Sequence, residues 1–370
     1  MSPQPLFCLN IHCPSRGKVD AGNIHLHSGL DQRFRCSTCQ TTFARTKGTL
    51  FYRLKTDPKI VILVLTLLAY GCPLQAIVRA FEFDERTVTN WRKKAAQHCQ
   101  QLHQHLVENQ PRDLGQVQGD EIRVRCQKRL VLWMALAIQV STRLWLGGAI
   151  SAHRDKDLIR RLASVVRAQA IERPILLMTD GLSTYVNAWK RAFCNRVKTG
   201  KPGRPAGRAW SDVVIGQVVK RYEKKRVIGV EHRLLQGTKA QFTALSVAGQ
   251  TMNTAYIERL NATFRQRLAG LVRRGRCLLR RAEVLEGGMY LVGCVYNFCT
   301  PHASLREKLV AGTRCWVQRT PAMAAGITTE IWSIDDLLSY RVAPPPFVPP
   351  KRRGRPPGTT KPRAPEVTAK

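Results

Sequence analysis

The sequence predicts a mixed-sheet α/β fold standing behind two small modules, one held by cysteines and one all-helical. Three observations predict it. From Gly115 to Ser151 the chain alternates with period two over three successive stretches joined by short links. From Asp155 onward, helical and apolar-strand patterns take turns. Ahead of both lie two cysteine pairs and then a helical periodicity over residues 57–105.

The 370 residues suggest two or three domains. Lys and Arg number 60 against 25 Asp and Glu, a net charge of +35. Hydrophobic residues make up 44%, enough for ordinary cores, so this is not a disordered polycation. Charge of this sign and size calls for a polyanion, with nucleic acid ahead of an anionic membrane surface. There is no lipidation motif, and the longest apolar run, Ile60 to Tyr70, is too short to span a bilayer. Met1–Pro5 lacks the regions of a signal peptide, so we expect an unexported, cytoplasmic protein without a membrane partner. Twelve cysteines in such a chain argue for thiols and metal ligands rather than disulfides.

Residues 1–52 form the first module. Cys8-x4-Cys13 and Cys36-x2-Cys39 are two knuckles 22 residues apart, a spacing that suits tetrahedral zinc in a zinc ribbon. Few apolar residues accompany them, so the metal would hold the fold. His12, His25 and His27 compete as ligands, but four thiolates already complete the shell. The other eight cysteines, Cys72, Cys126 and Cys294 among them, read as small buried hydrophobes.

Residues 57–108 form the second. Pro58 opens a helix with Leu65 and Leu68 on its apolar face, and Gly71-Cys72-Pro73 breaks it. A helix follows from about Leu74 to Phe81. Asp84 caps the next, which begins Glu85-Arg86-Thr87-Val88-Thr89-Asn90-Trp91-Arg92-Lys93-Lys94. This reads as a helix-turn-helix. Val88 and Trp91 face the core, and Arg86, Thr89, Asn90, Arg92 and Lys93 are free to reach double-stranded DNA. The competing reading is a plain three-helix unit with a solvated basic face.

Residues 115–312 form the main domain. Strands are expected at Val117–Arg125, Arg129–Val140 and Arg143–Ser151. A helix follows at Asp155–Ala170 with Leu158, Leu162 and Val165/Val166 on one face, then a short apolar strand, Pro174–Thr179, ending at Asp180-Gly181. A helix is expected at Ser183–Cys194, a basic insertion at about 195–235 with strands near Val213–Tyr222 and Arg226–Leu235, the helix bearing Glu258, and a last helix at about Arg281–Phe298. A three-strand meander followed by alternating helix and strand describes an RNase H-like α/β core with an inserted hairpin. Residues 313–342 extend it. Residues 343–370 are basic, proline-rich and without periodicity, a disordered tail. Its Lys351-Arg352-Arg353-Gly354-Arg355-Pro356-Pro357 resembles an AT-hook, in which Arg353 and Arg355 would enter a narrow minor groove; the alternative is a generic polycationic arm. Gly203-Arg204-Pro205 repeats its core.

Three acids stand out by position. From Tyr256 to Arg281 there are eight arginines, and Glu258 is the only carboxylate. A carboxylate on a phosphate-facing surface needs a reason such as a bound cation; a salt bridge to Arg259 or Arg265 is the plain alternative. Asp180 sits at the C-terminal end of an apolar strand, where open α/β sheets place their sites, although it also suits a helix cap. Asp120 lies in the first strand, with Glu121 beside it as a competing ligand. Three acids from separate elements are what a two-metal phosphoryl-transfer site needs, with magnesium (or manganese) ions roughly 3.5–4 Å apart.

These segments resemble DDE-type transposases of bacterial insertion sequences. The resemblance rests on Gly119-Asp120-Glu121, Thr179-Asp180-Gly181, Asn253-Thr254-Ala255-Tyr256-Ile257-Glu258-Arg259-Leu260-Asn261-Ala262-Thr263-Phe264-Arg265, Tyr296-Asn297-Phe298-x3-His302, and Arg319-Thr320-Pro321, and spans about residues 5–340. It implies Asp120, Asp180 and Glu258 as the metal-binding triad. Asn253, Arg259, Asn261 and Arg265 would support the triad or hold DNA. It implies an enzyme that binds its element's ends, nicks their 3′ ends and joins them to target DNA as a homo-oligomer at the bacterial nucleoid. A domesticated, non-cutting DNA binder and an RNase H-like nuclease or resolvase are the alternatives. A ribosomal or RNA-packaging protein would explain the charge but not the acids.

Overall fold

A computed structural model describes residues 5–29, 32–197, 200, 205–224, 226–247, 251–272, 278–309 and 315–349. They fall into two compact units: Pro5–Arg45 with the segment from Ala343, and Thr46–Val342.

The smaller unit carries three antiparallel strands in sequence order, β1 (Ile24–Ser28), β2 (Arg33–Cys36) and β3 (Thr42–Ala44). Its buried cluster consists of Cys8, Cys13 and Cys36, with Ile24 and Cys39 packed on it. A core made largely of thiols buries too little apolar surface to hold a fold by itself.

In the larger unit, the Asp57 carboxylate accepts from the Lys59 N–H and Pro58 takes the first turn, which starts α1 (Pro58–Ala69). Val61, Val64, Leu65 and Ala69 form its buried stripe. The helix ends at Gly71, whose φ of +91° and close approach to the Gln266 carbonyl leave no room for a side chain. After α2 (Leu74–Phe81), Asp84 accepts from the N–H groups of Arg86 and Thr87 and opens α3 (Glu85–His103). This helix buries Val88, Trp91, Ala95, Cys99 and Leu102 in one continuous stripe.

The central sheet follows: β4 (Gln116–Arg125), β5 (Val131–Gln139), β6 (Trp145–Ser151), α4 (Lys156–Gln169), β7 (Ile175–Asp180) and α5 (Thr184–Ala192). A small hairpin, β8 (Cys194–Val197) and β9 (Ala206–Ala209), leads to β10 (Val213–Glu223) and β11 (Arg226–Gln236). Then come α6 (Lys239–Leu245), α7 (Ala255–Arg267) and α8 (Ala282–Cys294). The six strands lie in the order β11-β10-β7-β4-β5-β6. β4, β5 and β6 form an antiparallel meander, β7 and β10 run parallel to β4, and β11 turns back along β10. The fold is thus mixed α/β. Helices α4 and α5 cover one face, and α7 and α8 the other. The chain closes with β12 (Glu307–Lys308), β13 (Trp316–Val317), α9 (Pro321–Ala324) and α10 (Ile334–Ser339).

Several boundaries differ from expectation. The second and third strands start late because Lys128 and Arg143 turn with φ of 54° and 59°. The helix expected through Cys194 stops at Ala192, and Cys194 begins β8. Residues 195–235 are not one appended piece: β10 is bonded along β7 from Val213↔Ile175 to Val218↔Asp180, so it belongs to the central sheet. The helical segment is continuous with the main domain, because α3 packs along α8, where Gly287 lets Ala96 approach. The described residues of the expected extension, 315–342, join the same unit, with Leu337 and Leu338 buried and the Leu337 carbonyl bonded to the His98 ring. Among the other cysteines, Cys99, Cys126 and Cys294 are buried, but Cys72 is half-buried and Cys315 exposed. No helix among the described residues is long and apolar enough to cross a membrane.

Candidate metal and nucleic-acid site

Strand alternation decides which side chains meet. On β4, Gly119 and Glu121 face α5, and Gln118 and Asp120 face α7. On β10, Val214 and Val218 pack with Met178 of β7 against Phe242, so Lys220 continues that same face. Asp120, Asp180, Lys220 and Glu258 therefore converge on one pocket of about 410 Å³, with Arg154, Gly181, Leu182 and Thr254 also in its wall. It opens beyond the C-terminal end of β7.

Each acid is held. One Asp120 oxygen accepts from the Glu121 N–H at 2.8 Å and the other from the Asn261 amide at 2.8 Å. Asp180 accepts from the Leu182 N–H at 3.1 Å and from Arg154 at 3.1 Å. Glu258 Oε1 accepts from Lys220 Nζ at 2.7 Å and from the Thr254 hydroxyl at 3.0 Å. The partner of Glu258 is thus a lysine from β10, not Arg259 or Arg265. Burial, with Asp180 and Glu258 adding negative charge, pushes Asp120 up to about 6. Burial works the same way on Glu258, but Lys220 and Thr254 outweigh it, and the group lies below its ordinary value.

Carboxylate oxygens of Asp120, Glu121 and Asp180 lie within 4.8 Å of one another, an arrangement that could hold a metal ion. Glu121 is the buried member. Its Oε1 accepts from Arg154 at 2.6 Å and its Oε2 from the Tyr185 hydroxyl at 3.1 Å, which leaves each oxygen already engaged on the α5 side. Burial and Asp180 raise it to about 7. Arg154, stacked over Trp133, bridges Glu121 and Asp180. Asp120, Glu121 and Asp180 thus offer a hard divalent cation oxygen donors within reach of one another, while Glu258 faces the same cavity outside that group.

Residues absent from the sequence expectations do much of the positioning. Gln118, fully buried, accepts from the N–H groups of Tyr256 and Ile257 and donates to the Asn253 carbonyl. It supplies the cap that Thr254, at the start of α7, does not. Asn261 is buried on Asp120, donating to its carboxylate, the first of the two roles expected of it. Asn253 spends its side chain on the turn into α7, accepting from the Ala255 N–H. Arg259 is exposed and Arg265 half-buried near Asp120. Asn297, in the block matched by resemblance, clamps the Trp145 backbone through two 2.9 Å bonds and is structural.

On α3, Arg86, Asn90 and Lys93 are exposed and Thr89 half-buried. Arg92 departs from expectation: it is half-buried beside Leu68, Leu74 and Leu268 in a cavity under the helix pair, and burial lowers its pKa. Arg353 and Arg355 lie outside the described residues, as do Gly203 and Arg204.

In the smaller unit the thiols of Cys8, Cys13, Cys36 and Cys39 cluster within 4.8 Å. Cys8 and Cys39 sulfurs are 3.6 Å apart, and Cys13 and Cys36 sulfurs 3.9 Å. A tetrahedron with metal–sulfur bonds of about 2.3 Å has edges of about 3.8 Å, so the four fit zinc. Burial raises Cys8 and Cys13, but at Cys36 backbone hydrogen bonds outweigh it, and at Cys39 hydrogen bonds from Thr41 and Asn10 bring the thiol down to about 6, toward the thiolate a metal requires. His12, His25 and His27 are exposed and outside the cluster.

No protein-family model matches the chain, and no curated protein matches it.

Proposed function

We propose that the protein is a DNA transposase of the DDE type, with an RNase H-like core, a zinc ribbon and a helix-turn-helix. The observation that carries this reading is the convergence of Asp120, Asp180 and Glu258, from two parallel-side strands and a helix, on one pocket of a chain with net charge +35. The sheet order supports it: a three-strand meander with β7 and then β10 laid parallel beyond its first strand is what an RNase H-like core would have. Bound at the three acids, magnesium or manganese would activate the attacking oxygen and stabilise the leaving one. The chain's own residues do the rest. Gln118 and Asn261 fix α7 on β4, so that Glu258 and Asp120 keep their separation. Arg154 orients Asp180. Arg86, Asn90 and Lys93 on α3 offer a basic surface to the element ends, Arg265 brings positive charge near Asp120, and the basic tail adds nonspecific hold. Two DNA ends need two pockets, hence a homo-oligomer on DNA, in the bacterial cytoplasm at the nucleoid.

The test is a strand-transfer assay with a labelled element end, a target plasmid and magnesium, beside Asp180→Asn and Glu258→Gln. Joined product that both variants lose, with DNA binding retained, is expected. Hydrolysis without joining would make the protein a nuclease, and binding without cleavage in any metal would leave a DNA-binding protein.

A further inference from the structure

The acid pocket also contains cations. Among the described residues in its wall, Arg154 and Lys220 carry positive charge. They are held differently. Arg154 is anchored behind the pocket by Glu121, whose side chain is fully buried, and by the Trp133 ring. Its contact with Asp180 is one end of a fixed bridge.

Lys220 stands on β10 two residues beyond Val218, which pairs with Asp180, and reaches across the pocket to Glu258. Both partners of that ion pair are in contact with water, at 36% and 48% exposure, so solvent screens their attraction. Thr254, at the cap position just ahead of α7, holds the same Glu258 oxygen, so the carboxylate keeps its place when the lysine leaves. An ammonium 2.7 Å from a carboxylate oxygen occupies the side of that oxygen where a hard cation would sit. A divalent ion at Glu258 and the ammonium would repel each other at such range.

We propose that Lys220 is a displaceable counter-cation. It neutralises Glu258 while the pocket is free of metal, must withdraw when a divalent ion binds, and thereby sets the concentration of metal the site needs. The inference rests on reading Asp120, Asp180 and Glu258 as a metal site.

The experiment is Mn²⁺ binding to the full-length, zinc-supplied chain, read by the electron paramagnetic resonance of free Mn²⁺, with no DNA and no turnover. Wild type is compared with Lys220→Met, Glu258→Gln and Asp180→Asn. Lys220→Met keeps the length of the side chain and removes its charge at an exposed position. It is expected to bind Mn²⁺ about tenfold more tightly, or about 1.4 kcal/mol, whereas Glu258→Gln and Asp180→Asn bind it more weakly. Unchanged or weaker binding by Lys220→Met, with the two acid variants still weakened, would overturn the displacement and leave the metal site standing. Binding that ignores Glu258→Gln and Asp180→Asn would remove the metal site, and this proposal with it.

Discussion

Replacing Gln118 with leucine tests how α7 is fixed to the sheet. Leucine nearly preserves the volume and abolishes three hydrogen bonds, to Tyr256 N–H at 3.1 Å, Ile257 N–H at 3.0 Å and the Asn253 carbonyl at 2.9 Å. A buried group left without a partner costs about 1–3 kcal/mol. Ile257 is fully buried and bears that cost, whereas Tyr256 and Asn253 are half-buried and regain part of theirs from water. Loss of a helix cap alone costs about 1 kcal/mol. The sum is about 2–4 kcal/mol, a fall of about 3–6 °C in Tm for a unit the size of Thr46–Val342. The assay is thermal unfolding of the full chain, followed by Mn²⁺ affinity below the transition. Affinity is expected to fall as well, because Glu258 sits one residue beyond the capped Ile257. A melting temperature within a degree of wild type, with unchanged Mn²⁺ affinity, would refute the idea that this side chain holds the helix in register.

Two further outcomes are expected. Asp120 is raised to about 6 by burial, so between the unfolded value near 4 and about pH 6 the folded protein keeps a proton that the unfolded chain has lost. Metal-free stability from this group therefore falls as pH rises through that window. The Tm difference between Asp120→Asn and wild type should move in the variant's favour up to about pH 7 and then level off; a constant difference would mean the carboxyl is not raised. Stripping metal from the cysteine cluster, or Cys36→Ser, is expected to unfold Pro5–Arg45 and leave the transition of Thr46–Val342 in place. Backbone amide spectra of the full chain would show it, and dispersed signals surviving in the smaller unit would speak against a metal-held core.

What the sequence revealed followed the range of the interactions. Asp84 caps its helix within three residues, so its role was legible, as was the cysteine cluster, whose spacing is itself the geometry. Asp180 was legible because an apolar strand ending in an acid is a local pattern. Gln118 was not, since its partners lie 135 to 139 positions away. Lys220 was hidden for the same reason: within its own segment it is one basic residue among many. The extent of the insertion was misjudged because Lys220 to Arg226 is so charged that the apolar run Val213–Val219 seemed to belong with it, whereas that run fills the sheet between β7 and β11. The burial of Arg92 depends on α7 and α8 arriving over it, which helical periodicity within α3 does not reveal.

Helix α3 is a single rod of 19 residues, about 28 Å long. One end offers Arg86, Asn90 and Lys93 to solvent, and the other is locked along α8 by Cys99 and Leu102. There is no hinge at which one end could be exchanged without the other. A recognition surface transplanted from another protein would have to bring the lower half of its own helix and a matching α8, or keep both of these. If α3 meets DNA as proposed, changes of preference would arise by substitution on its exposed turns, in place, and not by the shuffling of domains.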